Sequence, residues 1–531
     1  MLLHDLLRRS AERAPDTVAL CDASGQISWG MLNRRANQAA QALRAQGVKR
    51  GDRVVLALEN SIEFVAWYFG ILKAGAIVVP LARGPRSDRL ACAVSDCTPV
   101  VCVTDSATAR TLSDAFPQSS LRVLIVRRAT PDVRFLGRPG LPVVDAGEAL
   151  AAGPADDPRV RMIDVDLAAI VYTSGSVGTP RGVMLSHLNL TANAESIVAY
   201  LGLTAADRVM AVLPFHYIYG LSLLHTHACV GGSVVIDNRF AFPNVVLKAM
   251  QSHAVTGFAG VPSTFAILLR HSGIAGMSFP ALRYVTQAGG PMSPARIREW
   301  RGLLPDVPFY VMYGATEAAA RLAYLDPADL DRAPGSIGRA IPNVELLVMK
   351  EDGTIAPPGE VGEIVARGSN ISPGYWGSPE ATLAAFGPQG YRTGDLAVTD
   401  ADGYLYVVGR RHEMLKVGGH RVGPKEIEDV LNRHHLVHEA AVVGTPDALL
   451  GEVPMAFTVP REDAAIDEAE LLAFCRRRLP DYKVPARIVT TTDLPRSEAG
   501  KIDKHALRLA AARLRAQPQD EDLPVASNRG R

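Results

Sequence analysis

Between Thr173 and Gly182 the chain reads Thr-Ser-Gly-Ser-Val-Gly-Thr-Pro-Arg-Gly, directly after the apolar run Ala168-Ala169-Ile170-Val171-Tyr172. Hydroxyls, glycines and one cation in so short a span suit a polyphosphate. Glycines such as Gly175 and Gly178 let backbone N–H groups approach and turn toward phosphate oxygens. Thr173, Ser174, Ser176 and Thr179 add hydroxyl donors, and Arg181 adds a fixed charge with several donors. The bland alternative is a flexible surface loop after a strand. A P-loop would need Gly-x4-Gly-Lys-Ser/Thr. Here two residues separate Gly175 from Gly178, and no Gly-Lys-Ser/Thr follows.

Other chemistry-bearing segments follow in order. They are Gly289-Gly290-Pro291, Val311-Met312-Tyr313-Gly314-Ala315-Thr316-Glu317, Tyr391-Arg392-Thr393-Gly394-Asp395, Gly409-Arg410-Arg411-His412, Lys416 to Val422, and Pro495 to Asp503. Together with the loop at 173–182 they resemble the ANL superfamily of adenylate-forming enzymes: acyl- and aryl-CoA synthetases, peptide-synthetase adenylation domains and luciferases. The resemblance covers about residues 1–510. The chain has Val177 where the family's loop usually has Thr, Arg181 where it has Lys, and His412 where it has a pivoting Asp or Lys.

The resemblance implies a role for each segment. Residues 173–181 would cradle the phosphates of ATP. Gly289 and Gly290 would line the nucleotide pocket, Tyr313 and Gly314 would pack on adenine, and Thr316 would meet the α-phosphate. Glu317 would help hold Mg²⁺, an ion that takes few carboxylates plus phosphate oxygens. Asp395 and Arg410 would contact the ribose. Gly419 and Arg421 would line the path of the pantetheine arm of coenzyme A. Lys501 would place an ammonium between the substrate carboxylate and the α-phosphate, two anions that otherwise repel. The bland alternatives are a solvated acid, a turn Asp, a surface Arg and a solvated Lys.

The acid pocket is expected around Leu213-Pro214-Phe215-His216-Tyr217-Ile218-Tyr219, with Val261, Ala288 and Ala315 nearby and Ala318 to Ala320 further along. These small residues leave room for a chain or a ring. His216 or Tyr219 could gate it; core packing is the alternative. The motif holds no Asp to pair an α-ammonium, and an unpaired ammonium there would be costly. An acyl or aryl acid is therefore expected rather than an amino acid.

Elements able to position these residues are legible. Arg53–Leu58, Ala76–Val79, Val100–Val103, Leu121–Val126, Arg208–Leu213, Ser233–Ile236 and Arg283–Thr286 read as strands, and Ile62–Lys73 as a helix. Apolar strands alternating with helices predict α/β layers with buried, largely parallel sheets. Gly- and Pro-rich sequence over 342–400 predicts an antiparallel β region. The expected fold is thus a large N-terminal α/β domain of layered subdomains plus a small β region, hinged to a smaller C-terminal α+β domain. The boundaries are 1–408, a hinge at 409–412, 413–515, and a frayed tail at 516–531. In the C-terminal part, strands are expected at Met414–Val417, Ala440–Val443 and Met455–Val459, and helices at Lys425–Leu431 and Glu468–Arg478.

With 531 residues, 48% hydrophobic, and 56 Lys+Arg against 55 Asp+Glu, the chain is near neutral. That balance suggests neither nucleic acid nor an anionic membrane as a partner. Six scattered cysteines match no zinc spacing and are expected to be reduced and buried, in a cytoplasmic protein. No segment is long and apolar enough to span a bilayer, and the N-terminus does not read as a signal peptide.

The resemblance implies an AMP-forming acid–thiol ligase: ATP and Mg²⁺ convert a small carboxylic acid to an acyl-adenylate, and a thiol takes the acyl group. Coenzyme A is the first expectation for the thiol. The alternative is the phosphopantetheine of a carrier protein acting in trans. An inert nucleotide-binding scaffold is the reading from another class, and luciferase-like oxidation the weakest.

Overall fold

β-branched apolar runs form two large sheets in the N-terminal part of the molecule. In the computed structural model, residues 1–516 are described except 84–86, 113–119, 131–132, 134–140, 174–179, 448, 462–465 and 497–500. One sheet has eight strands among the described residues. Arg53–Ala57, Ile77–Pro80, Val101–Asp105, Val123–Arg127, Val143–Asp145 and Leu167–Thr173 run parallel; Arg181–Ser186 and Gly374–Tyr375 close one side antiparallel. The second has nine strands among the described residues. Its parallel centre includes Arg208–Ala211, Ser233–Ile236, Gly257–Gly260, Tyr284–Gln287 and Phe309–Tyr313.

Helices Leu3–Arg13, Trp29–Ala45, Ile62–Lys73, His187–Leu201 and Ile218–Val230 share one apolar cluster with side chains of both sheets. Helix Ile62–Lys73 shows why. Ser61 caps it, its hydroxyl accepting from the Phe64 N–H. Its interior carries apolar residues on every side, so it must be buried all round. Phe64, Trp67, Tyr68 and Phe69 are buried; each such side chain contributes about 1.5–3 kcal/mol. Its last residue, Lys73, is buried too, with Nζ 3.0 Å from Asp157 Oδ2.

The predicted β region contains Val344–Met349 antiparallel to Gly362–Gly368, with Gly390–Thr399 next in the sheet. The chain forms two compact units: Met1–Thr393 with Ala397–Val407, and Gly394–Leu396 with Val408–Arg531. In the second, a sheet of Leu415–Val417, His420–Val422, Val437–Asp447, Gly451–Pro460 and Arg487–Thr490 carries helices Pro424–Leu431, Glu468–Arg476 and Lys504–Ala516. Two apolar clusters flank it, one around Ile427, Leu431 and Leu471 and the other around Val443, Phe457 and Leu507. Most expected elements occur with ends shifted by one or two residues. Two strands are much longer than expected, Val437–Asp447 and Gly451–Pro460, and the predicted tail beyond 516 lies outside the described residues.

All six cysteines are free thiols. The expectation of uniform burial needs correction: Cys92, on helix Ser87–Cys97, is exposed and Cys229 is half-buried. No helix among the described residues is long and apolar enough to cross a membrane.

Candidate functional site

Strands Leu167–Thr173 and Arg181–Ser186 form a hairpin whose register pairs Thr173 with Arg181. The ends of the glycine loop are thereby set side by side. Ser174, Gly175, Ser176, Val177, Gly178 and Thr179 lie outside the described residues. Arg181 is exposed, and its guanidinium carbon sits 5.6 Å from the Tyr375 ring centroid. The Tyr375 hydroxyl donates to Glu317 Oε1 at 2.9 Å. Burial, reinforced by the Glu317 charge, raises the phenol's pKa far above its ordinary value, so Tyr375 stays a donor. Tyr375 belongs to the short strand paired with Arg181–Ser186, and the Ser372 N–H donates to the Glu317 carbonyl at 2.8 Å. Arg181, Tyr375 and Glu317 are therefore brought together. Sequence reasoning missed Tyr375; its signal was an aromatic ring directly after a glycine in a Pro-Gly turn.

Thr316 and Glu317 stand on a one-turn 3-10 helix, Thr316–Ala318, just after strand Phe309–Tyr313. The turn is tight. A Cβ on Gly314 would lie 1.8 Å from the Ala320 carbonyl oxygen, so only glycine fits there. Ala319 and Ala320 take φ of +54° and +120°. Strained non-glycine backbone costs about 1–3 kcal/mol per residue and persists only when its surroundings enforce it. Asn370 enforces it here, its amide donating to the Ala318 and Arg321 carbonyls at 3.1 and 2.8 Å; Asn193 donates to the Arg321 carbonyl at 3.1 Å. Ala318, Ala319 and Ala320 are buried in the core.

Gly289 has φ +86°, and a Cβ there would lie 3.0 Å from Val261 Cγ1. Gly289 and Val261 thus lie against one another, and the Gln287 amide donates to the Gly290 carbonyl at 2.7 Å. Ala288 is buried; Val261, Tyr313, Thr316, Glu317 and Ala315 are half-buried, and Gly314 is exposed. On the other side, Asn60 clamps the segment before helix Ile218–Val230. It donates to the Leu213 carbonyl and accepts from the Phe215 N–H, each at 2.8 Å. His216 is half-buried beside Tyr217, and burial lowers its pKa to about 4, so it is neutral at pH 7. Tyr219 is buried, its hydroxyl bonded to Thr286 at 3.0 Å to Oγ1 and 3.1 Å to the carbonyl.

The second unit carries its own group of predicted residues. Asp395 is buried, and its Oδ1 lies 3.0 Å from Arg410 Nε. His412 follows on the 3-10 turn Arg411–Glu413; burial lowers its pKa. Next to it, Glu413 Oε2 lies 2.9 Å from Lys504 Nζ, which also meets Glu428 Oε1 at 3.0 Å. These two carboxylates hold the Lys504 pKa up against burial, which acts to lower it. Gly418 and Gly419, both at positive φ, make the two-residue turn that pairs Lys416 with exposed Arg421. Lys501 is exposed, three residues before Lys504, and Asp503 caps helix Lys504–Ala516 by accepting from His505 and Ala506 N–H at 3.0 Å each.

A family model described as AMP-binding enzyme matches residues 7–376. The chain belongs to the AMP-binding enzyme family. A second model, the AMP-binding enzyme C-terminal domain, matches residues 426–501. These matches and the relatives place the chain in the ANL superfamily of adenylate-forming enzymes. An indoleacetate–CoA ligase of Aromatoleum aromaticum is 32% identical over 97% of this chain and 99% of its own length. A long-chain-fatty-acid–CoA ligase of Salmonella typhimurium is 31% identical over 95% of this chain and 94% of its own. The structure of the anthranilate CoA ligase AuaEII in complex with anthranoyl-AMP is similar with a TM-score of 0.87 at 27% identity, covering 97% of this chain and 98% of that one. The family's division into a large N-terminal and a smaller C-terminal domain matches the α/β architecture above.

Glu317 is a suitable partner for Mg²⁺. Tyr375 occupies one carboxylate oxygen and leaves the other for a cation. Among the described residues no group of three or more His, Cys, Asp or Glu could hold a metal. A lone carboxylate completed by phosphate oxygens is the arrangement Mg²⁺ favours.

Proposed function

We propose that this protein activates a carboxylic acid as its acyl-adenylate at the Arg181–Tyr375–Glu317 cluster and passes the acyl group to coenzyme A. The reaction class is that of an AMP-forming acid–thiol ligase. The observation that carries it is the family match together with CoA ligases alike over nearly the whole chain.

In the first half-reaction the carboxylate attacks the α-phosphorus of ATP, forming an acyl–phosphate bond and releasing pyrophosphate. Catalysis is positioning and charge neutralisation. The loop at 173–181 holds the phosphates, with Arg181 supplying charge. Gly289, Gly290, Tyr313 and Gly314 frame the adenine, Thr316 meets the α-phosphate, and Asp395 and Arg410 hold the ribose. Glu317 would hold Mg²⁺, which would supply charge neutralisation on the phosphates; Tyr375 orients that carboxylate. Lys501 bridges the two reacting anions. The acid lies among His216, Tyr219, Val261, Ala288 and Ala315. In the second half-reaction the C-terminal unit turns about 409–412, Lys501 withdraws, and the loop holding Gly419 and Arg421 lines the thiol's path. The thiol sulfur attacks the acyl carbon and AMP leaves. Six unpaired thiols and the use of ATP and coenzyme A support a cytoplasmic setting.

The test is a broad panel of carboxylic acids with ATP and Mg²⁺, read by pyrophosphate release and, with coenzyme A, by acyl-CoA formation. Acid-dependent release of both products is expected. An absence of acid-dependent pyrophosphate across the panel would contradict the reading.

A further inference from the structure

Arg321 is a buried cation with no counter-charge among the described residues. It is 2% exposed. Its Nε–H points to Met312 Sδ at 3.2 Å, Nη1 donates to the Ala320 carbonyl at 3.2 Å, and its guanidinium carbon lies 4.2 Å from the Tyr219 ring centroid. Tyr200 completes a neutral surround, and no carboxylate pairs with it among the described residues. Leaving a buried charge uncompensated is costly, and aromatic faces and sulfur recover only part of that cost. Yet the fold holds Arg321 in place through the strained turn at Ala319–Ala320, with two buried asparagines on its carbonyl.

The side chain also borders a small, mainly apolar cavity. Arg321 lines this space of about 10 Å³ with Ile197, Leu203, Leu223, Thr226 and His227. That is room for about one oxygen-sized group. His227 Nδ1 lies 2.8 Å from the Leu223 carbonyl and so carries the proton; its buried Nε2 has no partner. The link to the expected acid pocket is Tyr219, whose ring lies against the Arg321 guanidinium and whose hydroxyl bonds Thr286, two residues before Ala288.

We infer that Arg321 sets acid specificity: the pocket takes carboxylic acids whose far end carries an oxygen acceptor, a second carboxylate or a hydroxyl, that meets the Arg321 guanidinium. This rests on the acid-activating reading above. An alkyl or plain phenyl end leaves the buried cation as it stands. An oxygen at that end gives it a charge-assisted hydrogen bond inside a low-dielectric site. A site built to bond a polar group discriminates strongly against the analogue lacking it.

The experiment compares three acid series matched carbon for carbon: unsubstituted, ω-hydroxy and ω-carboxy, in both linear and phenyl forms. The full chain is assayed for pyrophosphate release with ATP and Mg²⁺. The wild type is expected to favour its best oxygenated acid over the unsubstituted match by about tenfold or more in kcat/KM. Arg321→Leu should erase that preference and Arg321→Lys should keep part of it, with melting temperatures checking the fold. The hydroxy and carboxy arms decide which oxygen is recognised. A wild type that prefers the unsubstituted acids overturns the inference whether or not the variants fold. So does an unchanged ranking in folded Arg321→Leu. Silence of the wild type toward every acid overturns the ligase reading and this inference with it; turnover of unsubstituted acids alone overturns only the inference.

Discussion

The two units hold their functional residues by different means. In the N-terminal unit the turn bearing Thr316 and Glu317 is fixed by uncharged clamps: Gly314 against a carbonyl, Asn370 and Asn193 on backbone oxygens, and alanine methyls in the core. In the C-terminal unit the corresponding residues stand among ion pairs: Arg410 with Asp395, Lys504 with Glu413 and Glu428, Arg496 with Glu439. Close-packed clamps define one geometry. Ion pairs at partly exposed positions add little stability and are readily exchanged for others. The contrast suits a fixed nucleotide floor in one unit and, in the proposed mechanism, residues that trade places in the other.

The contrast can be broken by acid first. Burial holds the imidazoles of His4 and His227 neutral, lowering each pKa to about 4, with the charge of Lys73 adding at His4. A lowered histidine pKa means the unfolded chain takes protons first. Stability present at pH 7 is therefore lost as pH falls from about 6.5 toward 4, then levels off. Each of these shifts corresponds to about 3 kcal/mol. Thermal melts from pH 7 to pH 4 should show the N-terminal unit losing several kcal/mol; a flat profile would show that burial does not hold these imidazoles neutral.

Asn370→Leu comes next. It removes the side-chain donor of the Ala318 carbonyl and leaves the Arg321 carbonyl with Asn193 alone, beside strained backbone, and should cost about 2–3 kcal/mol. Pyrophosphate release should fall further than the melt alone explains, because Thr316 and Glu317 lose their turn. Equal losses in stability and folded-state activity would make Asn370 a packing residue only.

Lys504→Met should have the smallest effect, about 1–2 kcal/mol, since Glu413 and Glu428 are left without their shared cation. Lys504 sits between the turn at 411–413 and the helix following Lys501, so adenylation should suffer more than thiol transfer. Lys504→Arg should restore most of it. Equal effects on both half-reactions would sever the link between this triad and Lys501.

Much of this was legible in the sequence, for local reasons. Helix Ile62–Lys73 and strand Ser233–Ile236 lie where the apolar pattern puts them, because a buried element bounded by Ser or Gly leaves the chain little choice. Strands Val437–Asp447 and Gly451–Pro460 were only half visible. Gly444, Pro446 and Pro454 interrupt the apolar pattern, yet the register carries the pairing through them, Gly444 opposite Pro454 and Pro446 opposite Glu452. The run Ala318-Ala319-Ala320 reads only as small residues, and nothing local shows that Asn370, far along the chain, clamps it in a strained turn. Arg321 was invisible and Tyr375 only faintly marked by its Pro-Gly turn, because their meaning lies in partners that only the fold supplies.

The most direct test of the account is Lys501→Ala, with the two half-reactions measured separately. Acid-dependent pyrophosphate release should fall by about a hundredfold or more, while acyl transfer to coenzyme A from pre-made acyl-adenylate stays close to the wild-type rate. Equal loss of both steps, or full retention of the first, would contradict it.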